Sequence, residues 1–161
     1  MPIYICLSLA VVLLDQLIKY FVATTLPLNT SQPVISGLVS IAHIRNYGAA
    51  WSMLIGQRWF FIIISLVAVA VIGYYLKKKW TNWGYGLGLA LLLGGTLGNF
   101  IDRLRLGYVV DMIQLDFINF PIFNVADCAL TLGVIVLILT MIKDEQLNDW
   151  SSSRKRMRAL R

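Results

Sequence analysis

Residues 59–76 read WFFIIISLVAVAVIGYYL, and Lys77-Lys78-Lys79 follow at once. This stretch of 18 residues carries no charge, and a helix needs roughly 20 apolar residues to cross a bilayer core. Three further runs approach the same length. Residues 3–23 contain Asp15, Gln16 and Lys19 and stop at Thr24-Thr25-Leu26-Pro27. Residues 85–101 end in Asp102-Arg103, and residues 126–142 carry Asp127 near their start and run into Lys143-Asp144-Glu145. The expected fold is all-α and integral to a membrane, with four transmembrane helices.

Composition agrees with that reading. The 161 residues are 58% hydrophobic and 14% charged, with a mean hydropathy of +0.74. Soluble domains run nearer about 45–50% apolar and about 25% charged. A disordered chain would be poor in apolar residues, and two cysteines allow at most one bridge, which excludes a disulfide scaffold. The net charge of +6 raises the question of nucleic acid, but its distribution answers otherwise. With four crossings both termini share one side, which then holds nine Lys and Arg against four (Arg45, Arg58, Arg103, Arg105) on the other. The positive-inside bias puts both termini in the cytoplasm. The run Arg154-Lys155-Arg156-Met157-Arg158 is then a juxtamembrane segment attracted to anionic lipid, and no nucleic-acid partner is expected.

The N-terminus lacks a basic n-region and no small-x-small site follows the first run, so it reads as a retained anchor. Residues 1–143 form one membrane domain with outer loops 24–58 and 102–125, and residues 144–161 a basic cytoplasmic tail. Within the loops, residues 33–38, 39–44 and 108–115 are β-branched runs broken by Gly and Pro, which suggests strands. Gly84-x-x-x-Gly88 and Gly94-x-x-x-Gly98 have the spacing that lets membrane helices approach closely. Trp59, Trp80, Trp83 and Trp150 fall near the expected interfaces.

This topology gathers the polar residues. Asp15 and Lys19 fall in the outer half of the first helix; Asn99, Asp102 and Arg103 close the third; Asn124 and Asp127 open the fourth; Asn46 and Asp111 lie in the outer loops. A charge at mid-helix costs about 2.5–3.5 kcal/mol by insertion scales, so several in one layer suggest a site. Each has a plainer reading alone. Asp15 and Lys19 are spaced i,i+4 and can neutralise each other. Asp102 and Arg103 can mark a helix end, Asp127 can complement the helix dipole, and Asp116 reads as a solvated loop carboxylate outside the site.

Elimination narrows the chemistry. A single histidine, His43, and no HExxH exclude a His-rich metal site, and no GxSxG elbow occurs. No metal and no cofactor are expected. Cys6 and Cys128 read as small buried hydrophobes, and a Ser–Lys dyad would need Lys19, already matched by Asp15. Carboxylates remain. Two converging aspartates can share a proton, because ionising both at close range is unfavourable. The ionised one then takes a proton from an attacking water and the neutral one donates to the developing oxyanion. Asp111 and Asp127 fit, with Asn99, Asn124 and Arg103 as donors. The residues equally permit a proton-coupled transporter using Asp15 and Asp127, although transporters need groups reachable from both sides. A scaffold assembling through its glycine faces would leave the polar layer without a purpose.

The ordered strings Asp15-Gln16-x-x-Lys19, Asn46-x-Gly48-Ala49-Ala50-Trp51, Gly94-Gly95-x-Leu97-Gly98-Asn99-x-Ile101-Asp102-Arg103, Val109-Val110-Asp111 and Phe120-Pro121-x-Phe123-Asn124-x-Ala126-Asp127 resemble those of the lipoprotein signal peptidases, the type II signal peptidases of bacteria. The resemblance runs through most of the membrane domain. It implies a membrane aspartyl endopeptidase of four helices, with a small extracytoplasmic β-cradle and a short outer helix. It also implies that the substrates are prolipoproteins, cut just before a cysteine that already bears diacylglycerol. By the same likeness Asp111 and Asp127 are the catalytic pair. Asn46, Asn99, Arg103 and Asn124 line the site, and Asp15, Lys19 and Asp102 support it. Met112 stands where the family often has Phe. Membrane lipid and substrate are the expected partners of a monomer in the bacterial cytoplasmic membrane, with its site toward the outer face.

Overall fold

Four long helices and one small sheet make up the described chain, residues 1–48 and 53–159 of a computed structural model, with only the backbone followed over residues 147–159. The helices are α1 (Pro2–Thr25), α2 (Arg58–Lys79), α3 (Trp83–Arg105) and α4 (Val125–Ala159). The strands are β1 (Ser31–Ile35), β2 (Val39–Asn46) and β3 (Val109–Leu115). Each apolar run of the sequence is a helix, and among the described residues four are long and apolar enough to cross a membrane. The fourth departs most from its expected bounds: its apolar part is Val125–Gln146, but the helix continues through the basic tail to Ala159.

Helix α3 is the hub, packing against α1, α2 and α4. It is the least apolar of the four, with a mean hydropathy of 1.3 against 1.9 to 2.4, yet half of its span is buried against about a fifth in the others. Glycine resolves the contrast, because a missing side chain lets backbones meet where large side chains would hold them apart. A Cβ at Gly94 would lie 2.7 Å from Val11 Cβ, and one at Gly98 would lie 2.6 Å from Asp15 Oδ2, so α1 seats directly on this stripe. Gly88 meets α4 in the same way, facing Leu137 and the Gly133 carbonyl. Away from these seams the helices present Leu13, Leu17, Ile63, Ile64, Ile135 and Leu139 outward. A surface so apolar suits lipid and not water.

Local chemistry sets the helix ends. Asn82 caps α3, its side-chain oxygen accepting from Gly84 N–H at 3.0 Å. At the other end Gly107 adopts φ +84, a left-handed conformation that favours glycine and lets the chain turn into β3. Arg58, the first residue of α2, donates to the carbonyls of Arg103 (2.9 Å) and Leu104 (2.7 Å) at the C-terminal end of α3, where a helix leaves its last carbonyls without intrahelical donors. These contacts fix the end of α3 that faces the sheet.

The sheet is antiparallel in the order β1-β2-β3. Its first hairpin turns at Gly37 (φ +74), so residues 36–38, expected as strand, form the turn. In the second pair Asp111 of β3 stands opposite Ile44, two residues from Asn46 at the end of β2. Between β2 and α2, residues 53–56 form a turn. Ala49, Ala50 and Trp51 of the second motif, and the side chains of Trp150 and of the basic tail, lie outside the described residues. Cys6, expected to be buried, is exposed on α1, because it lies on the side of the helix opposite Tyr4 and Ser8, which face α3. Asp116 is exposed as expected but holds Ser40 Oγ at 2.6 Å, which ties the end of β3 to β2.

Candidate active site

Nine polar residues of the sequence analysis meet at the sheet end of the bundle, delivered by α1, α3, the start of α4 and the strands β2 and β3. Asp15 and Lys19 project from the same face of α1, one turn apart, and form an ion pair of 2.8 Å. Both are almost wholly buried, and Lys19 reaches a second carboxylate, Asp102 of α3, at 3.0 Å. The remaining Asp15 oxygen accepts from Ala126 N–H at 2.9 Å, at the start of α4. Asp102 Oδ2 also accepts from Val110 N–H at 3.2 Å, so the turn after α3 is clamped where β3 begins. That clamp carries Asp111 to the centre of the site.

Asp127 is set by the N-terminus of α4. Its N–H donates to Asn124 Oδ1 at 2.9 Å, while Asn124 N–H donates back to Asp127 Oδ2 at 3.1 Å. This is a capping box in which Asn and Asp take the parts usually played by Ser or Thr and Glu. The other Asp127 oxygen accepts from Asn99 Nδ2 at 2.8 Å. Asn124 Nδ2 donates to Asp111 Oδ1 at 2.7 Å and to Asn99 Oδ1 at 3.1 Å. Asn46 Nδ2 donates to Asp111 Oδ2 at 2.9 Å and fixes its own oxygen on Gly48 N–H at 2.9 Å. The two aspartates are therefore held from opposite sides of one asparagine.

Both carboxylates open on a cavity of about 620 Å³, lined by Asn46, Asn99, Arg103, Asp111, Asn124 and Asp127 on its polar side. Its other walls are largely apolar: Val109, Leu115, Phe120, Pro121, Ile122, Phe123 and Leu132, with Cys128 and Thr131 continuing down α4. Arg103 stacks on the ring of Phe61, 4.7 Å from its centroid. Among the described residues its guanidinium donates to the Gly48 carbonyl at 3.4 Å and to that of Asn99 at 3.5 Å, two of the five N–H donors that a guanidinium carries. Burial, above all, pushes the Asp111 carboxyl up to about 6, and the charge of Asp127 adds to the rise. Among the described residues no cluster of His, Cys, Asp and Glu is arranged to hold a metal ion.

Comparison with known proteins shows the family. Residues 7–143 match the family described as signal peptidase (SPase) II. The chain belongs to the signal peptidase II family. A lipoprotein signal peptidase of Lactiplantibacillus plantarum is 50% identical over 145 residues, 90% of this chain and 97% of the relative. That of Enterococcus faecalis is 47% identical over 146 residues, covering 89% and 90%. A bacterial membrane enzyme solved in meso at 2.3 Å resolution superposes with a TM-score of 0.86 at 40% identity, covering 90% of each chain.

As a member of the signal peptidase II family, the protein is an aspartic peptidase in a multi-pass bacterial membrane fold. Sequence reasoning overlooked three contacts that join the helices carrying the site. Gln16 donates to Asp102 Oδ1 at 2.8 Å and to the Gly98 carbonyl at 3.2 Å, joining α1 to α3. Ser8, nearly inaccessible, donates to the Ala90 carbonyl at 2.9 Å. Arg58 holds the end of α3 that bears Arg103. Their partners lie 45 to 86 positions away, so no local pattern announces them. The Asn124-x-x-Asp127 box could have been read from its spacing. Cys128, expected to be a buried hydrophobe, is half-buried on the cavity wall beside Asp127.

Proposed function

We propose that this enzyme removes the signal peptide of diacylglyceryl-modified prolipoproteins, cutting just before the lipidated cysteine, and that Asp111 and Asp127 activate the water. The observation that carries the reading is that two aspartates from separate elements open on one largely apolar cavity, cross-held by Asn124. The relatives named lipoprotein signal peptidase support the substrate class.

In this mechanism Asp111 carries the shared proton, because its burial favours the neutral form. Asp127, ionised, takes a proton from water as the oxygen attacks the scissile carbonyl carbon, and Asp111 gives its proton to the carbonyl oxygen. The result is a neutral tetrahedral diol. On collapse the C–N bond breaks, Asp127 passes its proton to the leaving amine, and a diol proton returns to Asp111. Both carboxyls end as they began. Asn46, Asn99 and Asn124 keep the pair in register. Arg103, on the cavity wall, donates to a substrate carbonyl, and Asp15, Lys19 and Asp102 support the pair from behind.

The apolar walls suit acyl chains and the apolar end of a signal peptide. The positive-inside count puts the termini in the cytoplasm and the sheet end at the outer face, where a lipidated cysteine presents its chains to the outer leaflet. In this reading the enzyme acts as a monomer. The test is one precursor in two forms, incubated with purified enzyme. Cleavage of the lipidated form alone, at the peptide bond immediately before the modified cysteine, is expected. Equal cleavage of both forms, or a cut elsewhere, defeats the reading.

A further inference from the structure

Lys19 is not among the residues that line the cavity, yet its charge is spent on the cavity's geometry. Its ammonium has three N–H groups, and all three are committed: Asp15 Oδ2 at 2.8 Å, Asp102 Oδ2 at 3.0 Å and Asn99 Oδ1 at 2.9 Å. The third contact has a consequence beyond charge balance. A carboxamide has an accepting end and a donating end, and reversing it exchanges them. Lys19 and Asn124 both donate to Asn99 Oδ1, so Asn99 must turn its Nδ2 to Asp127 Oδ1, which it meets at 2.8 Å. Reversed, the amide would oppose two donors with a donor and press its carbonyl oxygen on the Asp127 carboxylate. In a dry site such a mismatch leaves several groups unsatisfied at once.

We infer that Lys19 is a positioning residue for the proposed reaction: through its third hydrogen bond it fixes the orientation of the Asn99 amide, which keeps Asp127 supplied with a donor and aligned as the ionised partner. The inference rests on the two-aspartate reading above. It assigns Lys19 no contact with substrate and accounts for a lysine, and not merely any neutral side chain, behind Asn99. The ion pair with Asp15 and Asp102 serves to hold the ammonium in place. The groups that bear on Asp127 from its surroundings are Asp111 of β3, Arg103 and Asn99 of α3, and Cys128 on its own helix. Of these, only Asn99 is in direct contact with Lys19.

Removing Lys19 alone would strand two buried carboxylates, so the test conserves charge. Lys19→Met with Asp15→Asn removes one charge of each sign and deletes the donor. Lys19→Gln with Asp15→Asn removes the same charges but keeps an N–H on a side chain one atom shorter, facing Asn99. With the full-length enzyme in detergent and a lipidated precursor, kcat of the Met form is expected to fall at least about ten-fold below that of the Gln form, with KM within about two-fold. The Met form should also need a higher pH to reach half of its maximal kcat on the acid side. Equal kcat and coincident profiles overturn the inference. Wild-type enzyme labelled with ¹⁵N-asparagine provides a check that needs no variant to fold. The Asn99 side-chain NH₂ must be protected from solvent exchange, and exchange as fast as that of an exposed asparagine overturns the inference. If instead Asp127→Asn cleaves normally, it is the two-aspartate reading that has failed.

Discussion

Asn124 and Asp127 hold each other across the first turn of α4, the Asp127 N–H on Asn124 Oδ1 at 2.9 Å and the Asn124 N–H on Asp127 Oδ2 at 3.1 Å. One motif therefore starts a membrane helix and aims a carboxylate into the cavity. The same asparagine donates to Asp111 at 2.7 Å. Asn124→Ala should remove all of this together: stability falls by about 1 kcal/mol for the lost cap, and turnover falls further than that loss explains. Asn124→Ser restores the cap without the amide donor. Thermal unfolding in detergent should recover in the Ser variant while cleavage stays low. Joint recovery of both would reduce Asn124 to a cap.

The two aspartates should be separable from the fold. Asp111→Asn and Asp127→Asn keep the size of each side chain and remove its proton chemistry, which for general acid–base groups is worth about 10²–10⁴-fold in rate. Each variant is expected to insert in the membrane and elute like the parent, with cleavage of a lipidated precursor lowered by at least about 10²-fold. Near-parental cleavage by either variant would remove that residue from the pair.

Much of this arrangement was open to reading from the chain alone, and the part that was not has a physical explanation. Apolar length gave the spans, and the cost of charge in lipid gave the polar layer, because both are properties of single residues in one solvent. The direction of each hydrogen bond is a property of pairs. Lys19 and Asn99 are 80 positions apart, and Gln16 and Asp102 are 86 apart, so periodicity along one helix is silent about them. Asp15 and Lys19 could be read as a pair because they share a helix face; that Lys19 also holds Asp102 and Asn99 follows only from the close seat of α1 on Gly94 and Gly98. Cys6 was misread for the same reason, since hydropathy cannot tell a helix face turned to lipid from one turned to protein.

The rise of Asp111 to about 6 predicts a pH dependence with a definite sign. An acid that must donate its proton is lost as pH rises through its pKa, so kcat/KM should decline on the alkaline side once that range is passed. Asn46 donates to Asp111 Oδ2 and favours its charged form. Asn46→Ala should therefore move the alkaline limb to higher pH even as the maximal rate falls. Stability follows the same linkage. A carboxyl whose folded value lies above its unfolded one contributes fully below about 3.8, and the contribution is lost as pH rises through about 6. The unfolding temperature of the parent, less that of Asp111→Ala, should decline across this window; a difference that grows with pH would contradict burial as the cause.

The glycine seam yields a prediction free of catalysis. A Cβ on Gly98 would fall 2.6 Å from Asp15 Oδ2 and 3.2 Å from Ala126 Cβ, with the carboxylate already committed to Lys19 and to Ala126 N–H. Neither neighbour can yield without loosening the network behind the aspartates. Gly98→Ala is expected to cost about 1–3 kcal/mol, as overpacking does, and to lower turnover through Asp15. Gly73, in α2, is the control: nothing lies within 4 Å of a Cβ there. Alanine at that position should be neutral or stabilise by up to about 1 kcal/mol, since it restrains the helix backbone. Thermal unfolding of the two variants side by side measures the contrast, and equal behaviour would mean that α1 and α3 are not in the close contact on which the whole site is built.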